Sequence, residues 1–163
     1  MKRLVLIRHA KSSWKDPELD DFDRPLNKRG RKDGPKMGKL LAKKGETPDL
    51  IVSSPAKRAL KTALAIAKEV GYPKERIKEN KKIYLGSVPQ LMNVIHNIDN
   101  NFNLVFIFGH NPGFNDLSHH LAEHELENIP TCGVFCIDFE IDSWKRVSEG
   151  SGKFVYFEFP KKR

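Results

Sequence analysis

Leu4-Val5-Leu6-Ile7 is an unbroken apolar run that stops at Arg8-His9. An apolar run this short reads as a buried strand, here Lys2–Arg8. It is too short for a signal-peptide core, and no segment approaches the length of a membrane helix, so a cytoplasmic protein is expected. Asp49–Ser53 is a second short strand, and Leu104–Phe108 is a strongly apolar one. Helical patterns lie between them. Asn27 is a candidate cap for a helix through residue 44, with Gly45 at its end and a kink or restart expected at Gly34-Pro35. Ser54-Pro55 reads as a cap followed by proline at the first helical position. That helix should run to Val70, with Leu60, Leu64 and Ala67 on one face and Gly71 as its stop. Ser87 is the expected cap of a helix carrying Leu91, Val94, Ile95 and Ile98, and a further helix is predicted from about 114 to 123. Residues 77–83 suggest a weak strand. Gly133–Glu140 and Lys153–Phe159 alternate as strands around a turn near Glu149-Gly150-Ser151-Gly152. With no helix between them they should pair antiparallel. The expectation is an α/β protein: three layers, α/β/α, around a mostly parallel sheet with an antiparallel strand. With 163 residues and no linker or repeat, one domain over 1–163 is expected.

The net charge of +8 is unevenly placed. Residues 1–98 carry 23 Lys/Arg against 11 Asp/Glu, whereas residues 99–163 carry 6 against 10. The first part should therefore attract anionic partners. Composition alone leaves nucleic acid among them. Cys132 and Cys136, four apart on one predicted strand, are poorly placed to bridge and read as reduced core thiols.

Three predicted strands end in polar or basic groups. The first ends in Arg8-His9, the second in Ser53-Ser54 with Arg58 one turn into the next helix, and the third in Gly109-His110. In open parallel sheets ligands bind beyond the carboxyl ends of the strands, so Arg8, His9, Arg58 and His110 should converge on one crevice. Arginine forks suit phosphate oxygens, and Arg58 lies near a helix N-terminus, which itself favours anions. A phosphate site is the expected outcome.

Leu6-Ile7-Arg8-His9-Ala10 resembles the Arg-His motif of the histidine phosphatase superfamily, which includes the phosphoglycerate mutases. Ser53-Ser54-Pro55-Ala56-Lys57-Arg58-Ala59 with Thr62-Ala63 resembles its second motif, and Gly109-His110-Asn111-Pro112-Gly113 its third. Asp23-Arg24-Pro25-Leu26 with Gly30, Pro130-Thr131 before a strand, and the aromatic C-terminal strand pair are similar to the short, SixA-type phosphohistidine phosphatase branch. The resemblance implies a phosphoglycerate-mutase-like fold. It implies His9 as nucleophile, Arg8, Arg58 and His110 as catalytic groups holding the phosphoryl oxygens, and Arg24 as a further substrate-binding arginine. Asn111 and Thr131 would border the site. The implied substrate is phosphohistidine in a signalling or phosphotransfer protein, such as a histidine phosphotransfer domain. A small phosphorylated metabolite is the alternative, and a phosphate-binding module without turnover is a third reading.

A neutral imidazole would attack phosphorus in line and water would hydrolyse the phosphohistidine formed, splitting one difficult displacement into two easier ones. The cationic side chains supply what a metal ion would, so no metal or cofactor is expected. Nor is nucleic acid or a membrane expected as a partner. The family's larger members carry a general acid between the second and third motifs. Glu79 is the acidic residue of the corresponding stretch here, 79–86, with Asp16, Asp20, Asp21 and Asp23 as alternatives. His119, His120 and His124 invite a metal reading, with His120 and His124 on one helix face, but they read better as solvent-facing. Lys161-Lys162-Arg163 reads as a solvated tail.

Overall fold

The computed structural model describes residues 1–124 and 128–161. Six strands form one sheet: β1 (Lys2–Arg8), β2 (Leu50–Ser53), β3 (Lys78–Glu79), β4 (Leu104–Gly109), β5 (Val134–Phe139) and β6 (Lys153–Glu158). Their order is β3-β2-β4-β1-β5-β6. The first four in that order are mutually parallel, β5 runs antiparallel to β1, and β6 pairs antiparallel to β5. Four helices complete the fold: α1 (Lys28–Lys43), α2 (Lys57–Val70), α3 (Val88–His96) and α4 (Gly113–Leu121).

The unbroken apolar run has a physical reason: β1 is central and covered on both faces. Val5 and Ile7 pack with Met37 and Leu41 of α1 and with Ala63, Ile66 and Ala67 of α2. Leu4 and Leu6 face the other way, toward Leu91, Val94 and Ile95 of α3 and Phe114, Leu117 and Leu121 of α4. The period-2 alternation of side chains thus assigns one helix pair to each face, giving the expected three layers. No helix among the described residues is long and apolar enough to cross a membrane.

Several caps sit where the sequence puts them. Asn27 accepts from the Gly30 N–H, Ser87 and Gln90 form a reciprocal capping box, and Gly71 ends α2 in the left-handed region. Other expectations need correction. α1 continues as a helix past Pro35. A Cβ at Gly38 would lie 2.8 Å from Glu69 Cβ and 3.2 Å from Ile66 Cα, so glycine lets the α1 and α2 backbones approach closely. α2 is capped at Ala56 rather than Ser54 and buries Ala59, Ala63, Ile66 and Ala67, while Leu64 turns outward. Strand 77–83 shrinks to β3 and a 3-10 turn at Lys81–Ile83. Cys132 precedes β5 with φ 59°, and both cysteines are buried, unbridged thiols.

The histidines of the α4 region do not converge. α4 ends at Leu121, His124 stacks on Phe154 with centroids 3.7 Å apart, and His120 faces Glu149 at 3.5 Å. Lys162 and Arg163 of the expected tail lie outside the described residues.

Candidate active site

The carboxyl ends of β2, β4 and β1 lie side by side and the chain leaves each in register with its neighbour. The His9 N–H donates to Gly109 O at 3.0 Å, and the Ser54 N–H to Phe108 O at 2.9 Å. Buried Thr62 of α2 ties in a further segment, accepting from the Ala10 N–H at 2.9 Å and donating to Arg58 O at 2.8 Å. A Cβ on Gly109 would come within 2.5 Å of the Phe114 ring, so glycine is what lets α4 turn in directly behind His110.

The result is a cavity of about 360 Å³ whose walls include Arg8, His9, Arg24, Arg58 and His110. The five residues expected at a phosphate site are thus brought together, and Asn111 and Thr131 border them. His9, Arg24, Arg58 and His110 are each less than 8% exposed.

The protonation of His9 follows from its surroundings. Nδ1 lies 2.7 Å from Ala10 O, and a carbonyl can only accept, so Nδ1 carries the hydrogen and the neutral ring keeps its lone pair on Nε2. Burial pushes the His9 pKa down to about 4; the bond to Ala10 opposes this, and the charges of Arg58, Arg8 and Arg24 reinforce it. His110 is brought to about 3, first by burial and then by His9 and Arg58, with Asp21 opposing. Both rings are neutral at pH 7, with centroids 5.2 Å apart.

Among buried side-chain nitrogens of the described residues, those without a protein partner are Arg8 Nε, Arg58 Nε and His110 Nδ1. Such orphans are rare because each costs about 1–3 kcal/mol. All three belong to residues of one cavity. Burial, and then the neighbouring Arg58, push the Arg8 guanidinium below its usual pKa. An anion in the cavity would relieve both the missing hydrogen bonds and the like-charge contact.

Other residues of the site are not evident from the motifs. Ser54 Oγ lies 2.7 Å from His110 Nε2 and accepts from the Ala56 N–H, so the serine expected to cap α2 instead closes a local turn before the helix and contacts the histidine. Arg24 is gripped by Ser12 Oγ at 2.7 Å and stacks on Trp14, its guanidinium carbon 3.5 Å from the ring centre. Tyr84 sets its ring edge-on to His110, centroids 5.4 Å apart. Glu79 is exposed on β3 and does not line the cavity, nor do Asp16, Asp20 or Asp23; Asp21 is the acidic residue that does. Burial would raise the Asp21 pKa, but hydrogen bonds from Tyr84 and Arg58 outweigh it and bring the carboxyl down to about 2.

Residues 4–108 match the model of the histidine phosphatase superfamily (branch 1). An uncharacterized chloroplastic protein of Arabidopsis thaliana is 30% identical over 93% of this chain and 72% of its own length. A 2,3-bisphosphoglycerate-dependent phosphoglycerate mutase of Thermobifida fusca is 37% identical over 44% of this chain, and that stretch spans 30% of the mutase. Among solved structures, a protein assigned as the phosphohistidine phosphatase SixA of Agrobacterium tumefaciens superposes with a TM-score of 0.82 at 25% identity, covering 98% of this chain and 99% of the other.

Proposed function

The chain belongs to the histidine phosphatase superfamily, and on that premise we propose that it removes phosphoryl groups through a covalent phosphohistidine on His9. The observation that carries this reading is the set of unpartnered buried donors on Arg8, Arg58 and His110 beside an imidazole held neutral. His9 Nε2 attacks phosphorus as the bond to the leaving group breaks. Arg8, Arg24, Arg58 and His110 hold the phosphoryl oxygens and balance their charge. We assign Ser54 Oγ as the donor to His110 Nε2, the tautomer that leaves the His110 proton on Nδ1 as a donor. Water then breaks the His9–phosphorus bond and releases phosphate.

The substrate class follows from the leaving group. An alkoxide needs a proton to depart, whereas an imidazole, with a conjugate-acid pKa of about 6.5, needs far less help. Asp21, the acid among the described cavity walls, is held ionised and has no proton to give near pH 7. Phosphohistidine on a signalling or phosphotransfer protein is therefore the preferred substrate, in a cytoplasm that keeps Cys132 and Cys136 reduced. The A. tumefaciens likeness supports the same substrate. The partial match to a mutase favours small phosphorylated metabolites as the second reading.

The two readings separate on kcat/KM for a phosphohistidine peptide, an aryl phosphate and a sugar phosphate. The first two should be turned over well and the sugar phosphate poorly. His9→Ala should abolish all turnover, and a rapid quench of the wild type should trap label in an acid-labile, alkali-stable bond. Glu79→Gln should change nothing. Equal efficiency on the sugar phosphate, lost in Glu79→Gln, would replace this reading with general-acid catalysis on metabolites.

A further inference from the structure

Asp21 stands in a cavity whose charged walls are otherwise the cations Arg8, Lys11, Arg24 and Arg58, where a free carboxylate would repel an incoming phosphoryl dianion. It is not free. Oδ1 accepts from Arg24 Nε at 3.1 Å and Arg24 Nη2 at 3.0 Å. Oδ2 accepts from Arg58 Nη2 at 2.9 Å and the Tyr84 hydroxyl at 2.7 Å. Its main-chain carbonyl takes Arg58 Nη1 at 2.6 Å. A carboxylate offers about four lone-pair sites, so these donors saturate it, leaving no acceptor for substrate.

What the carboxylate does is join separate parts of the chain. Arg24 comes from the loop after β1, Arg58 from α2, and Tyr84 from the segment before α3. Each arginine carries rotamer entropy, which a substrate would have to remove if it met mobile guanidiniums. We propose that Asp21 is a positioning residue: it locks Arg24 and Arg58 into one preformed cationic wall, with Tyr84 fixing the lock to the segment beside His110. This deepens the phosphatase reading and rests on it. The opposing possibility is an internal anion that competes with phosphate, and the two predict opposite signs.

The test compares Asp21→Asn and Tyr84→Phe with the wild type in aryl phosphate hydrolysis and in calorimetric binding of orthovanadate and of inorganic phosphate. Vanadate takes the five-coordinate geometry of the transferring group, so it reads the wall without needing turnover. Asp21→Asn should lower kcat by on the order of 10-fold or more and weaken vanadate by a similar factor, as misplaced catalytic groups do. Phosphate should bind as well or better, because the cavity has become more positive. A merely structural role would reduce the active fraction without splitting vanadate from phosphate. Tyr84→Phe keeps the ring against His110 and removes a single donor, so its effect should have the same direction and be roughly a few-fold.

Wild-type kcat in folded Asp21→Asn, or faster turnover with tighter phosphate, overturns the positioning role while the phosphatase reading stands. A wild type that binds vanadate more tightly than Asp21→Asn but hydrolyses nothing leaves the wall intact and removes the phosphatase reading. If Asp21→Asn does not fold, Tyr84→Phe decides, and unchanged kcat and vanadate affinity there reject the proposal.

Discussion

β1 carries an arginine near each end, and the two are treated in opposite ways. Arg3 lies opposite Asp138 in the β1–β5 register and holds it through Nε at 2.7 Å and Nη2 at 3.0 Å. Its Nη1 meets both oxygens of Glu46 at 3.1 and 3.2 Å, and Glu46 also accepts from the Tyr156 hydroxyl at 2.6 Å. The Asp138 hydrogen bond, opposed by burial, raises the Arg3 pKa. Arg8 donates through Nη1 to Ile129 O at 2.9 Å, while its buried Nε lacks a partner and its pKa is lowered. At the Arg3 end two carboxylates answer one guanidinium; at the Arg8 end arginines gather around one carboxylate that is already saturated. The first arrangement holds the sheet to its flanking segment, and on the proposed reading the second keeps positive charge in reserve for a ligand.

The contrast breaks most visibly at Arg58. Arg58→Ala should lower kcat by ~10²–10³, as the loss of one preorganised oxyanion donor does, with a thermal midpoint near that of the wild type. Near-wild-type kcat in this variant would show that the pocket end is as structural as the other. Glu46→Ala is the reciprocal test. Removing a buried partner from Arg3 and Tyr156 should cost about 3 kcal/mol in denaturant unfolding, the lower end for a broken buried pair, while leaving kcat intact. A large loss of kcat at unchanged stability would erase the distinction.

The smallest effect is in the acid limb of stability. His9 is held at about 4 and His110 at about 3 against an ordinary 6.5, so the unfolded chain binds protons first. Stability contributed by these neutral rings is present above pH 6.5 and falls as pH drops toward 4 and then 3. Denaturant midpoints measured across that range should decline in the wild type and decline less in His110→Asn.

The sequence exposes strongly what is periodic or terminal. Leu4–Ile7 and Leu104–Phe108 announce buried strands because both faces are covered, and the residues just after them, His9 and His110, follow into the crevice by topology alone. Asn27, Ser87 and Gly71 are legible because a cap is satisfied within a few residues. Asp21 is not legible in this way: its partners Arg58 and Tyr84 lie 37 and 63 positions away, and a polar loop has no period to reveal which carboxylate turns inward. Ser54 misleads for a related reason. Ser-Pro is a local cap pattern, but His110, 56 residues on, competes for the same hydroxyl. Leu60 and Leu64 mislead because the face of α2 that meets α1 and the sheet carries Ala59, Ala63, Ile66 and Ala67 instead.

The stack of Arg24 on Trp14 has an optical consequence. Trp14 is 76% exposed whereas Trp144 is 0% exposed, so the two indoles differ in polarity and should emit at different wavelengths, with Trp14 further to the red. Arg24 lies against only one of them. An oxyanion drawn to that guanidinium perturbs the red component and leaves the blue one as an internal standard, so occupancy can be followed in the unlabelled molecule by its own fluorescence.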